Sequence, residues 1–517
     1  MNICQNVCQR LTYSIISNYT LVRKRGKCMK TYYLSIDLGA SSGRAIVTEK
    51  VGWDLLFHEI HRFKNRIYEE RGTLYWDFSW IYANVLKSIE MAFERYPEIK
   101  AIGIDSWGVD YGLLDASGEL MRDPACYRDA RGRKAEEIVY AVIDKKRHYR
   151  ATGIQHLHFN TIFQLAYDAH YEPEIFRKAA KVLLIPDLIA YMLTGKQRAE
   201  ITNLSTTGLF SPFTGSLIPE SEALGIGEDL FPEKIEPGEA YGLLKEALSR
   251  RLGVPQVPVV AVCSHDTASA VLTVEDAANR VYISSGTWSL CGTVLDEPDV
   301  SETAYLNNFT NELGQGGKIR FLKNIAGLWI ANECRRAWSE AGKNFSYEEL
   351  NSMAAQAPGF RTLFDPDDPL FVEPGMMPER IRDYCLRSGE TVPEGAGAYY
   401  RAVYDSLACK YRYVIEGLES IVGRRYDAIV IIGGGSRIDL LNQLTASVTG
   451  KKVVTGAQEA TIMGNALILM LYGGDVSTVA EGRRLLMETE GEKRYLPLED
   501  DDYAGHYQRF LERMKKN

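Results

Sequence analysis

The chain has 517 residues, 45% hydrophobic and 25% charged, with a formal net charge of -8. At ~100–200 residues per domain this is material for two to four domains, or two large ones. The acidic balance argues against a nucleic-acid partner, and no apolar run approaches the roughly 18 residues that span a bilayer, which argues against a membrane protein. Nine cysteines, with no CxxC pair or other metal-ligand spacing, read as buried reduced thiols of a cytoplasmic protein.

Residues 1–30 are basic and lack both an apolar signal core and a small-residue cleavage site. They read as a disordered extension or as a start codon assigned too early, with a transit peptide less favoured. Met29 stands just ahead of the first strand pattern, which begins at Tyr32. In YYLSIDLGASSGRAIVT, residues 32–48, an apolar strand (Tyr33–Asp37) breaks into a Gly/Ser turn and resumes as a second strand (Arg44–Thr48). A helix follows over about Ser79–Arg95, with Ile81, Val85, Ile89 and Phe93 on one face. IKAIGID, residues 99–105, is a buried strand that ends in the polar turn SWGVD.

The second half repeats this succession. RVYISSGTWSLCGTVLD, residues 280–296, is strand, Gly/Ser turn and strand; a helix over about Ala398–Val422 leads into the buried strand of YDAIVIIGGG. Strand–helix–strand runs argue an α/β fold with mixed sheets, and the repeated succession argues an internal duplication. Its junction falls near Thr273–Arg280. The C-terminal RFLERMKKN reads as a solvated helix end.

Four turns carry the chemistry. Gly43 is followed by Arg44 rather than lysine and no helix follows, so 37–44 is neither a P-loop nor a dinucleotide fingerprint. It is a hairpin whose small residues let backbone N–H groups approach an anion, with Ser41 and Ser42 as hydroxyl donors and Arg44 within reach of a phosphate. Asp37 is placed to hold Mg²⁺ through water; the plainer reading is an ordinary turn with Asp37 bonded to its own backbone. Ser284, Ser285, Gly286 and Thr287 form a second such turn, so that two jaws grip one polyphosphate. Gly433, Gly434 and Gly435 precede an amphipathic helix with Ile438, Leu441 and Val448 inward; they admit a ring or ribose close to the backbone, or else serve only a tight connection. In SHDTASAVL, Asp266 is either a helix cap or a base for a substrate hydroxyl. His156 and His158 lack a third ligand and read as non-metal residues.

These turns, in this order, resemble the FGGY carbohydrate kinases of the actin-like, ribonuclease-H-like ATPase superfamily. The resemblance rests on DLGASSGR (37–44), IGIDSWGVDYGLLD (102–115), GIQHLHFNT (153–161), SHDTASAV (264–271), SSGTWSL (284–290), LKNIAGLW (322–329) and IIGGGSRIDLLNQLTA (431–446). It implies two ribonuclease-H-like domains about a central cleft, 31–273 binding the sugar and 274–517 most of the nucleotide. By match, Ala40, Ser41, Ser42, Gly43, Arg44, Thr287, Asn332 and Gly434 contact ATP. Asn332 stands where the family pattern has a glutamine. Gly108, His265, Asp266, Thr267 and Asn324 contact the sugar, with Asp266 the general base. The implied reaction is transfer of the ATP γ-phosphate to the 1-hydroxyl of a ketose, with Mg²⁺ as cofactor, by a monomer or homo-oligomer. The turns around Gly108 and Asn324 favour L-rhamnulose. The rival readings are a kinase for xylulose, fuculose or glycerol, and an actin-like ATPase switch. The switch expects no acidic base on a sugar-facing turn. A silent sugar sensor expects a helix-turn-helix.

Overall fold

A computed structural model describes residues 30–489 and 491–514; the reading of residues 1–30 as an extension lies outside them except at Lys30, which opens the first strand because it pairs with Val51. In the first half, β1 (Lys30–Leu38), β2 (Ser42–Val51) and β3 (Asp54–Lys64) form an antiparallel meander. Helix α1 (Phe78–Arg95) crosses to β4 (Ile99–Ser106), which pairs parallel to β1. Asp77 caps α1 by accepting from the Trp80 N–H at 2.9 Å, Ile81, Val85 and Ile89 are fully buried, and Pro97 bars continuation. After α2 (Thr161–Tyr171) come β5 (Ala240–Leu243), β6 (Pro258–Val260, parallel to β4) and α3 (Asp266–Val271). The six-stranded sheet has the order β5-β6-β4-β1-β2-β3.

The second half repeats the plan. It contains β7 (Val281–Ser285), β8 (Ser289–Leu295), β9 (Thr310–Leu313), β10 (Ile319–Ile325), α4 (Trp329–Glu340), α5 (Ala396–Val422), β11 (Ala428–Ile432), α6 (Asp439–Thr449), β12 (Lys452–Thr455), α7 (Ala460–Tyr472), β13 (Arg494–Tyr495) and α8 (Tyr503–Met514). Its seven-stranded sheet has the order β9-β10-β8-β7-β11-β12-β13. In both sheets an antiparallel triplet (β1-β2-β3, β7-β8-β10) is continued by two parallel strands (β4 and β6, β11 and β12). The duplication expected from the sequence is therefore a duplication of topology. The strand β3, not anticipated, is an edge strand whose charged face hides its alternation.

The halves share core. Met463, Leu467, Ile468 and Leu469 of α7 pack with Tyr33, Ala101 and Val260 of the first sheet and with Val262 just beyond it. Helices α3 and α7 follow equivalent strands and cross closely: a Cβ on Gly464 would lie 1.9 Å from the Ser269 carbonyl oxygen. The C-terminal helix departs from expectation. Tyr507 and Phe510 of α8 are buried, and the Tyr507 hydroxyl donates to Glu416 at 2.6 Å, so the helix is docked rather than solvated as far as Met514; residues 515–517 of that reading lie outside the described residues.

Candidate active site

A cleft of about 730 Å³ opens between the two sheets. Asp37, Ala40, Ser42, Arg44, Gly108, His265, Asp266, Thr267, Thr287, Asn324, Asn332 and Gly434 all line it. Two predicted residues do not. Ser41 is exposed at the hairpin tip, and Gly43 is buried beneath Phe63, whose ring would lie 2.3 Å from an added Cβ.

The β1–β2 hairpin is fixed by Asn65, whose side-chain amide donates to the Gly39 carbonyl at 2.8 Å and whose N–H donates to that of Ser41 at 3.1 Å. Asp37 and Arg44 are register partners, and Arg44 donates to Asp37 Oδ2 through Nε at 2.8 Å and Nη2 at 2.7 Å. Its other nitrogen pairs with Glu459 of the second half, so Arg44 spans the cleft between two carboxylates. Opposite, Ser284–Thr287 turn back on themselves, with the Gly286 N–H donating to the Trp288 carbonyl at 2.8 Å.

The three glycines after β11 serve different needs. Gly433 has φ +79°, and a Cβ on Gly435 would lie 2.0 Å from Ser285 Oγ. Gly434 has neither constraint: nothing lies within 4 Å of its added Cβ, and it faces the cleft. The helix with Ile438, Leu441 and Val448 inward begins only at Asp439, after a 3₁₀ turn over Gly434–Arg437.

Asp266 opens α3, with 31% of its side chain accessible. Its Oδ1 accepts from the Thr267 N–H at 2.6 Å and lies 3.5 Å from His265 Nε2. Burial, and secondarily the charge of Asp37, raise its carboxyl above the usual range, partly offset by His265. The turn is held from below by Glu200, which accepts from the Ser264 N–H at 3.0 Å and hydroxyl at 2.6 Å. Glu200 carries no local sequence signal, being 64 residues away.

Three further partners were missed. Asp105 is the register partner of Asp37 and fully buried; burial, reinforced by Asp37, pushes its carboxyl well up. Its Oδ2 accepts from Asn465, and its Oδ1 has no hydrogen-bond partner. Gln155 Oε1 accepts from the N–H of Asn324 at 2.9 Å and from its side-chain amide at 3.0 Å, across the two halves. Val109, beside Gly108, holds φ +70°, costly for a β-branched residue; its carbonyl accepts from Thr161 Oγ1 at 2.7 Å. His156 bonds the Tyr140 hydroxyl at 2.6 Å, and burial pushes both His156 and His158 down to about 4.

Among the described residues no three His, Cys, Asp or Glu side chains are placed to hold a metal ion by themselves. Mg²⁺ needs only one or two carboxylates besides water and phosphate oxygens. The Asp37–Asp105 pair, with its unpartnered buried oxygen, fits that demand.

Two family models match the chain: the N-terminal domain of the FGGY family of carbohydrate kinases over residues 32–273 and its C-terminal domain over 281–472. A rhamnulokinase of Bacteroides thetaiotaomicron is 41% identical over 471 residues, 91% of this chain and 96% of that protein. One of Lactiplantibacillus plantarum is 36% identical over 490 residues, 94% of this chain and 99% of that protein. Among solved structures, a ligand-bound xylulose kinase from Lactobacillus acidophilus superposes with a TM-score of 0.76 at 17% identity, covering 94% of this chain and 98% of that one. Glycerol kinase of Plasmodium falciparum with ADP gives 0.70 at 16% identity, over 94% and 97%. These two likenesses concern the fold alone.

Proposed function

The chain belongs to the FGGY family of carbohydrate kinases, and from that premise we propose that it transfers the γ-phosphate of ATP to the 1-hydroxyl of L-rhamnulose, in L-rhamnose catabolism. The products are L-rhamnulose 1-phosphate and ADP. The observation that carries the reading is Asp266, a carboxylate that lines one cleft together with Gly108, Asn324 and residues of the two glycine–serine hairpins. The sugar specificity follows the relatives named rhamnulokinase, which match this chain nearly end to end.

In this reading Asp266 takes the proton of the sugar 1-hydroxyl as that oxygen bonds to the γ-phosphorus and the bond to the β-phosphate oxygen breaks. His265, Thr267, Gly108 and Asn324 hold the sugar. Ala40, Ser42, Arg44, Thr287, Asn332 and Gly434 hold ATP, the hairpins offering N–H and hydroxyl donors to charge that spreads in the transition state. Asp37, backed by Asp105, would hold Mg²⁺ through water; bound Mg²⁺ neutralises charge on the phosphates. The sugar falls to residues 31–273 and most of the nucleotide to 274–517, in a cytoplasmic enzyme. Closure of the cleft keeps water from acting as acceptor.

A coupled ADP-release assay tests the reading with L-rhamnulose against xylulose, fuculose and glycerol. The expected result is ADP release that depends on sugar and is fastest with L-rhamnulose. Preference for another acceptor overturns the specificity, and hydrolysis indifferent to every acceptor overturns the kinase reading in favour of an ATPase switch.

A further inference from the structure

His265 belongs to the first half, yet the groups that meet its inner nitrogen come from the second. Arg320 on β10 is 1% exposed and places Nη2 at 3.0 Å from His265 Nδ1. Glu312 on β9 pairs with Arg320 Nη1 at 3.0 Å and lies 3.3 Å from the same Nδ1. A guanidinium donates and never accepts. A single nitrogen cannot both accept from Arg320 and donate to Glu312, so the shorter contact makes Nδ1 an acceptor and leaves the ring proton on Nε2. That atom faces Asp266 Oδ1 at 3.5 Å and the cleft beyond.

We propose that Arg320 is a positioning residue that fixes the Nε2–H tautomer of His265, so that the ring donates towards Asp266 and the sugar. Glu312 is the counter-charge that keeps Arg320 buried. The partner of one nitrogen of an imidazole decides which nitrogen carries the proton, and a buried charge tolerates its surroundings only when paired. Removing Arg320 alone therefore does more than delete a contact. It leaves the Glu312 carboxylate unpaired beside Nδ1, which then draws a proton to that nitrogen. The strand that carries Glu312 docks on the first half through its backbone: the Asn311 N–H donates to the Gly153 carbonyl and the Leu313 N–H to Ser205 Oγ, both at 2.9 Å. The catalytic turn thus receives its tautomer-setting donor only when the halves are docked.

The inference rests on Asp266 acting on a sugar hydroxyl, but its primary readout needs no substrate. The probe is the full chain labelled with ¹⁵N-histidine, the His265 signals being assigned by their loss in His265→Asn. In the wild type at neutral pH, Nδ1 should be unprotonated and Nε2 protonated. Arg320→Met should place a proton on Nδ1 and lower kcat/KM for L-rhamnulose roughly 10- to 100-fold, the range for losing one hydrogen bond to a charged group. Arg320→Met with Glu312→Gln should restore the wild-type tautomer, because the glutamine amide donates to Nδ1, and recover most of the lost kcat/KM. A merely structural role predicts no such recovery. A protonated Nδ1 in the wild type overturns the proposal, as does wild-type behaviour of Arg320→Met or a double variant no better than the single one. If Arg320→Met does not fold, the wild-type and double-variant spectra still decide. A wild type that phosphorylates no sugar but shows the Nε2–H signature sinks the kinase reading and leaves the tautomer assignment standing.

Discussion

Alanine at Gly434 and at Gly435 should have opposite effects on stability, although the residues are neighbours in one turn. At Gly435 the new Cβ lies 2.0 Å from Ser285 Oγ and 2.5 Å from Ser285 Cβ, and Ser285 is itself only 1% exposed. Neither side can yield cheaply, so the change is an overpacking of about 1–3 kcal/mol. At the size of one half of this chain that corresponds to a fall in melting temperature of roughly 2–12 °C. At Gly434 nothing lies within 4 Å of the Cβ and φ is not positive. Alanine there removes freedom from the unfolded chain, so the apo protein should melt no lower than wild type and gain up to about 1 kcal/mol. The methyl group then occupies the cleft wall where the nucleotide is expected. KM for ATP should rise roughly 5- to 100-fold, with the sugar KM unchanged, for about 1–3 kcal/mol of lost contact. Thermal melts without ligand, followed by steady-state kinetics at saturating sugar, give both quantities. An unchanged ATP KM in Gly434→Ala refutes the assignment of that glycine to the nucleotide. An unchanged melt in Gly435→Ala refutes the packing argument.

Asp266→Asn should keep the fold and lower kcat roughly 10²- to 10⁴-fold, the usual weight of general-base catalysis. Because the folded protein raises the Asp266 carboxyl, its ionisation opposes folding as pH rises, so the neutral amide should melt no lower at neutral pH. The same shift sets the acid limb of the wild-type profile: kcat/KM should fall as pH drops through a value above the usual carboxylate range, and a limb at an ordinary aspartate pKa contradicts it. Gln155→Ala frees Asn324 and should raise the sugar KM about 5-fold, for roughly 1 kcal/mol, with little change in kcat; a pure kcat effect would point elsewhere. Val109→Gly relieves the φ +70° conformation and should melt no lower than wild type despite losing an isopropyl group. A clear drop in melting temperature would show that the side-chain packing outweighs the strain.

The parts legible in the sequence were those with local signatures. Apolar periodicity gave α1 and α5 to within two residues at either end, and the Gly/Ser breaks marked both hairpins. What escaped were partners set by register and by contact between the halves. Asp105 sits inside IGIDSWGVDYGLLD, but its burial against Asp37 follows from strand pairing. Arg44 read as a free phosphate ligand because neither Asp37 across the turn nor Glu459, more than 400 residues on, announces itself locally. Glu200, Gln155, Glu312 and Arg320 are ordinary surface-type residues until the fold buries or pairs them. The last helix was misjudged because RFLERMKKN contains a single large aromatic, Phe510, and the structure buries it.

The hairpin of β9 and β10 brings Glu312 to 3.3 Å from His265 Nδ1 and Asn324 into the same cleft as Asp266. On the proposed reading, in which Asn324 holds the sugar, selectivity for an acceptor is not portable as a single domain. A chimera that joins residues 31–273 of this protein to the nucleotide half of another kinase would inherit a foreign strand pair in its sugar receptor. A graft meant to transplant substrate choice must carry residues 308–325 along with the first half, despite their place in the second.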